Sequence, residues 1–293
     1  MGSIINKIIS FVVAVSFVFA TIPCQQVSAA TDVKNDATLS TSLIAYWDLD
    51  ETSGTRADSH TGGYDLTDNN TVGYATGIIG NAADCETSAS EFLSIANKLG
   101  TTANTDFSIS MWLKRESNPS TSGYFGVFDL RRDNGSTDDM WALRFYRYTD
   151  GFNYYNPIKN SDDFFKDTTD TLPIGTWKHV VITYDYDVGV KIYVNTSLTV
   201  TYNTTAASPT VSADAFNLCK ETSVTAYWDG LIDEVAVWSK VVSSGEISDL
   251  YNSGSGIPYD AGGAAAAATS TTPVRINGGS LRIQGGTFKN TQL

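Results

Sequence analysis

The feature that most constrains this chain is its division into short runs that alternate apolar and polar residues, each closed by Gly, Asn, Asp or Pro. FSISMWLKR puts Phe107, Ile109, Met111 and Leu113 on one face, and MWALRFYRY sets Trp141, Leu143 and Phe145 against Arg144, Tyr146 and Tyr148. SLIAYWDLD, EFLSIAN, YFGVFDLR, WKHVVITYD, VKIYVN and SLTVTYN continue the theme. A period of two marks half-buried strands. One segment departs from it: SSGEISDLYNSG has capping-box spacing at Ser243 and Glu246, an apolar face of Ile247, Leu250 and Tyr251, and Gly254 as a C-terminal cap. Many short strands with one late helix predict an all-β fold, a sandwich of two antiparallel sheets packed face to face.

A chain of 293 residues can build such a core without staples. Its net charge of −13, with Lys and Arg scattered singly, offers no basic stripe for phosphates, so nucleic acid is excluded as the expected partner. The sandwich is expected over residues 42–258. Before it, 31–41 (TDVKNDATLST) is polar and aperiodic and is expected to be a leader. After it come a low-complexity linker of small residues, 259–273, and a tail, 274–293, in which RINGGSL is followed at once by RIQGGTF. The tail fits a docking strand pair, the first coils of a solenoid or a frayed end.

Residues 1–30 have the form of a secretory signal: Lys7, the apolar run Ile8–Ala20, and a small-residue site ending VSAA. The run is shorter than the roughly 18 to 20 apolar residues of a membrane span. The mature chain is therefore expected outside the cell or at its surface. Cys85 and Cys219 then meet an oxidising compartment, and a disulfide and two separate thiols both fit the sequence.

AYWDLDETSGTRADSHTGGYDLT, FSISMWLK, GTWKHVVITYD with VKIYVN, and DGLIDEVAVWSKVVSSGEISDLYNSG resemble, in order, the landmarks of the LamG-like jelly rolls of the concanavalin A-like lectin/glucanase superfamily. The resemblance implies a twelve-to-fourteen-strand sandwich and a structural calcium ion. Its expected side-chain ligands are Asp58 and Asp233, with carbonyl oxygens of His60 and Gly63 completing the set. Calcium takes six to eight oxygens, and a Gly-rich turn with Asp58 and Asp65 can supply them. SHTGG here departs from the family's more frequent Ser-Gly-Asn-Gly turn, which touches the carbonyl ligands most. The alternative is that Asp233 caps a turn or pairs with Arg56. Strand parity puts Asp233 on a face with Leu231, Val235 and Val237, and Glu234 on the opposite one.

Glycosidases of the superfamily typically carry Glu-x-Asp-x-x-Glu on one strand, and no such run occurs here; DLDE at Asp48–Glu51 is the nearest imitation. His179 alternates with Trp177 and Val181, as a packed structural histidine would. The expectation is a non-enzymatic recognition or adhesion module with a glycan or extracellular protein as partner. Arg144, Tyr146, Tyr148, Tyr154 and Tyr155 are the candidate ligand-binding residues, because aromatic faces cover sugar C–H surfaces while Arg and amides bond hydroxyls. The alternative is an attachment or spacer protein whose tail joins a larger assembly.

Overall fold

The computed structural model describes residues 31–260 apart from residue 62 and segments 96–98, 100–104, 119–122, 132–140, 147–150, 157–163, 168–171, 204–214 and 223–224. At residues 131, 141, 146, 151–156, 164–167, 202 and 203 it describes the backbone alone. The first strands are β1 (Leu43–Trp47), β2 (Thr67–Asn69), β3 (Gly73–Thr76), β4 (Asn81–Cys85), β5 (Phe92–Ile95), β6 (Phe107–Arg115), β7 (Tyr124–Arg131) and β8 (Trp141–Tyr146). They are followed by β9 (Gly151–Asn156), β10 (Phe164–Asp167), β11 (Trp177–Asp185), β12 (Gly189–Val194), β13 (Ser197–Asn203) and β14 (Ala215–Leu218). The chain then forms β15 (Lys220–Glu221), β16 (Ala226–Tyr227), β17 (Gly230–Trp238) and the helix α1 (Ser244–Tyr251).

Two antiparallel sheets result. The eight-stranded one runs β13-β12-β11-β6-β17-β4-β3, with β1 also paired to β17; the seven-stranded one runs β10-β9-β8-β7-β14-β5-β2. The alternation in β6 is the one expected: Phe107, Ile109, Met111 and Leu113 all enter the core between the sheets. Leu143 and Phe145 enter it from the other sheet, with Phe128 and Phe216, and Phe216 stacks on Trp47 of β1 across the core. Strand number exceeds the implied twelve to fourteen because β2, β15 and β16 are short pieces of two or three residues.

A second apolar cluster covers the outer face of the eight-stranded sheet. Tyr46, Val181, Ala236 and Trp238 project from the sheet, and Val33, Leu39, Ile247, Leu250 and Ile257 close over them. The segment expected as a leader is thus packed: Val33 and Leu39 are 0% exposed. Its backbone is tied to the other end of the domain, Val33 N–H donating to the Pro258 carbonyl at 3.0 Å and Trp238 Nε1 to the Leu39 carbonyl at 2.6 Å. Polar composition hid this because only two apolar side chains in the stretch are needed to anchor it.

Helix α1 starts as its sequence requires, with the Ser243 hydroxyl accepting from Glu246 N–H and the Glu246 carboxylate from Ser243 N–H. It stops earlier than Gly254. Asn252 takes the left-handed conformation at the cap, which a carboxamide side chain tolerates. Cys85, ending β4, and Cys219, following β14, form a disulfide that joins the two sheets.

Candidate functional site

Strand β17 is buried along its whole length, and its acidic doublet does not obey strand parity. Ile232 pairs with Leu113 and Asp233 with Trp112, but the next partner of β6 is Ala236, opposite Ser110. One extra residue is accommodated by a β-bulge, with Glu234 at φ +49°. Ile232, Val235 and Val237 therefore share the inner core, while Asp233 and Glu234 both fall on the outer side. This corrects the expectation that the two carboxylates point to opposite faces and that Asp233 sides with Val235 and Val237.

Asp233 is 0% exposed. Its Oδ2 accepts from Ile78 N–H at 2.7 Å and Ile79 N–H at 3.2 Å, and its Oδ1 from Glu234 N–H at 2.9 Å. A Cβ at Gly77 would collide with that carboxylate, so the glycine is what lets the β3–β4 turn close on it. Asp233 thus caps this turn. Arg56 is spent elsewhere, its Nη2 donating to the carbonyls of Val72 and Gly73. Burial pushes Asp233 up to about 8 against the pull of its three amide donors. Glu234, bonded to the Tyr46 hydroxyl, is pushed up to about 9 by burial and then by the Asp233 charge, with Asp48 and Asp50 adding to it.

Asp58 organises a different loop. Its Oδ1 accepts from Tyr46 N–H at 3.1 Å and His60 N–H at 3.0 Å; its Oδ2 accepts from the Thr61 hydroxyl at 3.3 Å and Gly63 N–H at 3.2 Å. Asp65 accepts from Asp58 N–H at 2.9 Å. A carboxylate has about four lone-pair directions, and here all are used. The His60 carbonyl lies 3.5 Å from the Tyr259 hydroxyl, which is also 3.1 Å from His60 Nδ1. Asp58 and Asp233 thus each hold a separate stretch of backbone through amide and hydroxyl donors. Among the described residues, the three acids whose oxygens gather within 4.8 Å are Asp84, Glu86 and Glu116, none of them a residue expected to bind metal.

His179 is packed. Its Nε2 lies 2.8 Å from the Ser110 hydroxyl, and its ring lies against Trp112 and Tyr251. Burial lowers it to about 3, so it is neutral at ordinary pH.

The seven-stranded sheet has a different outer face. Register partners carry Thr67, Ser94, Asn217, Asp129 and Ala142 across five strands in one row, and the next residue in that row is Tyr155. Asn217 Nδ2 donates to Asp129 Oδ1 at 2.6 Å, and Asn69 Nδ2 to the Ser94 hydroxyl at 2.9 Å. Over the middle of this face folds the β15–β16 hairpin. Gly126 permits it, since a Cβ there would strike the backbone of Glu221 and Ala226.

Arg144 does not present itself to a ligand: it is 1% exposed, and its Nε lies 3.0 Å from Glu221 Oε2 under the hairpin. The guanidinium neutralises a carboxylate that the hairpin would otherwise bury alone. Tyr146, Tyr154 and Tyr155 lie in β8 and β9, with Tyr154 registered against Leu143 and Tyr155 against Ala142. Their side chains, and Tyr148 altogether, fall outside the described residues. Phe92, Lys220 and Tyr227, which also lie on this face, were missed from sequence because they sit on three separate short strands.

The two antiparallel sheets packed face to face define a jelly-roll β-sandwich. Residues 87–248 match the family described as the Concanavalin A-like lectin/glucanases superfamily, and the chain belongs to it. No curated protein sequence matches the chain. Among solved structures it is similar to domain 4 of AbnA, a GH43 extracellular arabinanase from Geobacillus stearothermophilus, in complex with arabinotriose. That likeness has 20% identity and a TM-score of 0.55, over 71% of this chain and 97% of that one. It is also similar to the binding domain of Paraclostridial Mosquitocidal Protein 1 (11% identity, TM-score 0.56, 72% of this chain and 52% of that one). A third is botulinum neurotoxin type C, whose cell entry depends on interaction with two ganglioside molecules (14% identity, TM-score 0.54, 72% and 51%). The chain spans about half the length of the latter two. At these identities the likeness is one of fold.

Proposed function

We propose that the protein is a secreted, non-catalytic recognition module that binds glycans on an extracellular or cell surface. The observation that carries this reading is the contrast between the two outer faces. The middle of the eight-stranded sheet's outer face is covered by segments 33–39 and 257–259 and by the helix, whereas at its β2–β5 edge the seven-stranded sheet carries the hydroxyls of exposed Thr67 and half-buried Ser94 in register. Sugars are gripped by such polar rows when aromatic surface lies beside them. The saccharide- and ganglioside-binding neighbours support the reading at the level of fold. Secretion is supported by the apolar run Ile8–Ala20 and by the disulfide, a bond suited to oxidising compartments. No helix among the described residues is long and apolar enough to cross a membrane.

The non-catalytic part rests on how the acidic doublet is used. Both carboxylates share a face, so parity no longer separates them, but Asp233 is held by three amides and Glu234 by Tyr46 beneath the covered face. An acid/base pair must reach substrate. In this reading the tie between the N-terminal loops and β17 is made by amides and not by an ion. Unfolding in calcium and in chelator should then give the same Tm. A calcium-dependent rise in Tm that Asp233→Asn abolishes would bring the ion back.

A glycan array probed with the secreted chain tests the function itself. Saturable retention of a defined glycan class is expected, and an array without retention, with folded protein applied, would overturn the reading.

A further inference from the structure

The β15–β16 hairpin is a strap fixed at both ends. Cys219 at its base is disulfide-bonded to β4, Trp228 at its exit is in the core, and Trp228 N–H donates to the Cys219 carbonyl at 2.9 Å. Between these anchors the strap lies on the seven-stranded sheet over two acids, both 0% exposed, that are treated differently. Glu221 has the Arg144 guanidinium 3.0 Å away. Asp129 of β7 holds only neutral donors: its Oδ1 accepts from Asn217 Nδ2 at 2.6 Å and its Oδ2 from Thr222 N–H of the strap at 2.7 Å. Among the described residues it has no ion pair. Its register partners are Asn217 on β14 and Ala142 on β8; the charge that faces it from the strap is Glu221, and Arg144 of β8 is paired with that same Glu221. Of Arg131, two residues along β7, and Tyr155, beyond Ala142, the backbone alone is described.

We infer that the hairpin is a strap fastened by acid: it lies down while the Asp129 carboxyl is neutral and loosens when that carboxyl ionises. A buried carboxylate needs a counter-charge or donors for its four or so lone-pair directions, and Asp129 has two donors and no cation. The neutral acid is better served. Thr222 Oγ1, on the residue whose amide Asp129 already holds, is buried without a hydrogen-bond partner and can accept the acid proton. Burial pushes Asp129 up to about 6, with the Glu221 charge adding to it, against the pull of Thr222 and Asn217. Lifting the strap lets water reach the carboxyl and returns it to its ordinary value of 3.8. The closed form thus keeps a proton that the open form has lost, so closure is fully present below about pH 4 and is lost as the pH rises through 6. Disulfide and core tryptophan keep the strap attached in both states, which makes the change a local opening. It uncovers Asn217 and Arg144 in the middle of the face assigned above to glycans.

The test is amide exchange at Thr222 in the full secreted chain, followed by NMR from pH 4 to pH 7 and corrected for the intrinsic rate. The Met111 amide of β6 marks opening of the whole domain. Thr222 should exchange faster than Met111 throughout, and its protection factor should fall by about fiftyfold over that range. In Asp129→Asn the fall should be absent. Thr222→Val keeps the amide and removes the proton acceptor, so the fall should become smaller. Protection at Thr222 that is flat with pH in the wild type, or that falls equally in Asp129→Asn, overturns the inference. Exchange no faster than at Met111 overturns it as well, since the strap would then open only with the domain. Should Asp129→Asn fail to fold, Thr222→Val decides, and an undiminished fall there is the overturning result. None of these measurements involves a ligand, so failure here leaves the glycan-binding reading standing, and an empty glycan array leaves the strap untouched.

Discussion

Single side chains in this domain are asked to sit in the core in states that cost free energy, and His179 shows how the cost reads out. Burial alone lowers it to about 3, and its Nδ1 has no hydrogen-bond partner among the described residues. Its folded pKa lies below the unfolded value near 6.5, so its share of stability is fully present above that pH and is lost as the pH falls toward 3. At pH 4 the loss is about 3 kcal/mol. In His179→Gln this loss is absent. The unfolding free energy of the wild type minus that of the variant, from urea titrations, should therefore fall by about 3 kcal/mol between pH 7 and pH 4. A difference independent of pH would mean that the imidazole is not held neutral. Tyr46 makes a second case: Tyr46→Phe leaves Glu234 without its hydroxyl donor and should cost roughly 1–3 kcal/mol at neutral pH, measured by the same titration.

Among the elements, what was legible in the sequence was what alternation and capping chemistry dictate by themselves. The inward set of β6, the split of β8 into Leu143 and Phe145 against Arg144, and the Ser243–Glu246 box are all present. Contacts across long sequence distances were not legible. Nothing near Asp233 announces that β17 gains a residue between its partners Trp112 and Ser110; the signal was the doublet itself, since two adjacent acids in an apolar strand cannot both be placed well by strict alternation. The Arg144–Glu221 pair escaped because Glu221 lies in a two-residue strand that pattern analysis cannot resolve. The stretch 31–41 escaped because its partners, Pro258 and Trp238, lie at the far end of the domain. That element carries its own prediction. Leu39→Ala should destabilise the domain by about 2–4 kcal/mol, seen as a lowered urea midpoint, because it opens a cavity under Trp238 and Val242 where a disordered leader would give no change.

On the scale of the whole molecule, the sandwich depends on two sheets that meet through side chains alone, so what ties one to the other sets how cooperatively it unfolds. The core between them supplies most of this, and Cys85–Cys219 adds a covalent tie spanning 134 residues of chain. Closing a loop of that length in the unfolded state removes entropy equivalent to about 5 kcal/mol in the chain-entropy account. The same bond anchors the hairpin that covers the middle of the seven-stranded sheet, so stability and the shape of the proposed ligand face are linked. Paired Cys85→Ser and Cys219→Ser replacement should therefore lower Tm by many degrees. In the wild type, reductant should act on stability and saccharide affinity together. A variant that kept its Tm but lost binding would place the hairpin's order, and not the sandwich, under the control of the disulfide. A variant that lost stability but bound normally at low temperature would show that Arg144, Glu221 and Asp129 suffice to hold the hairpin in place.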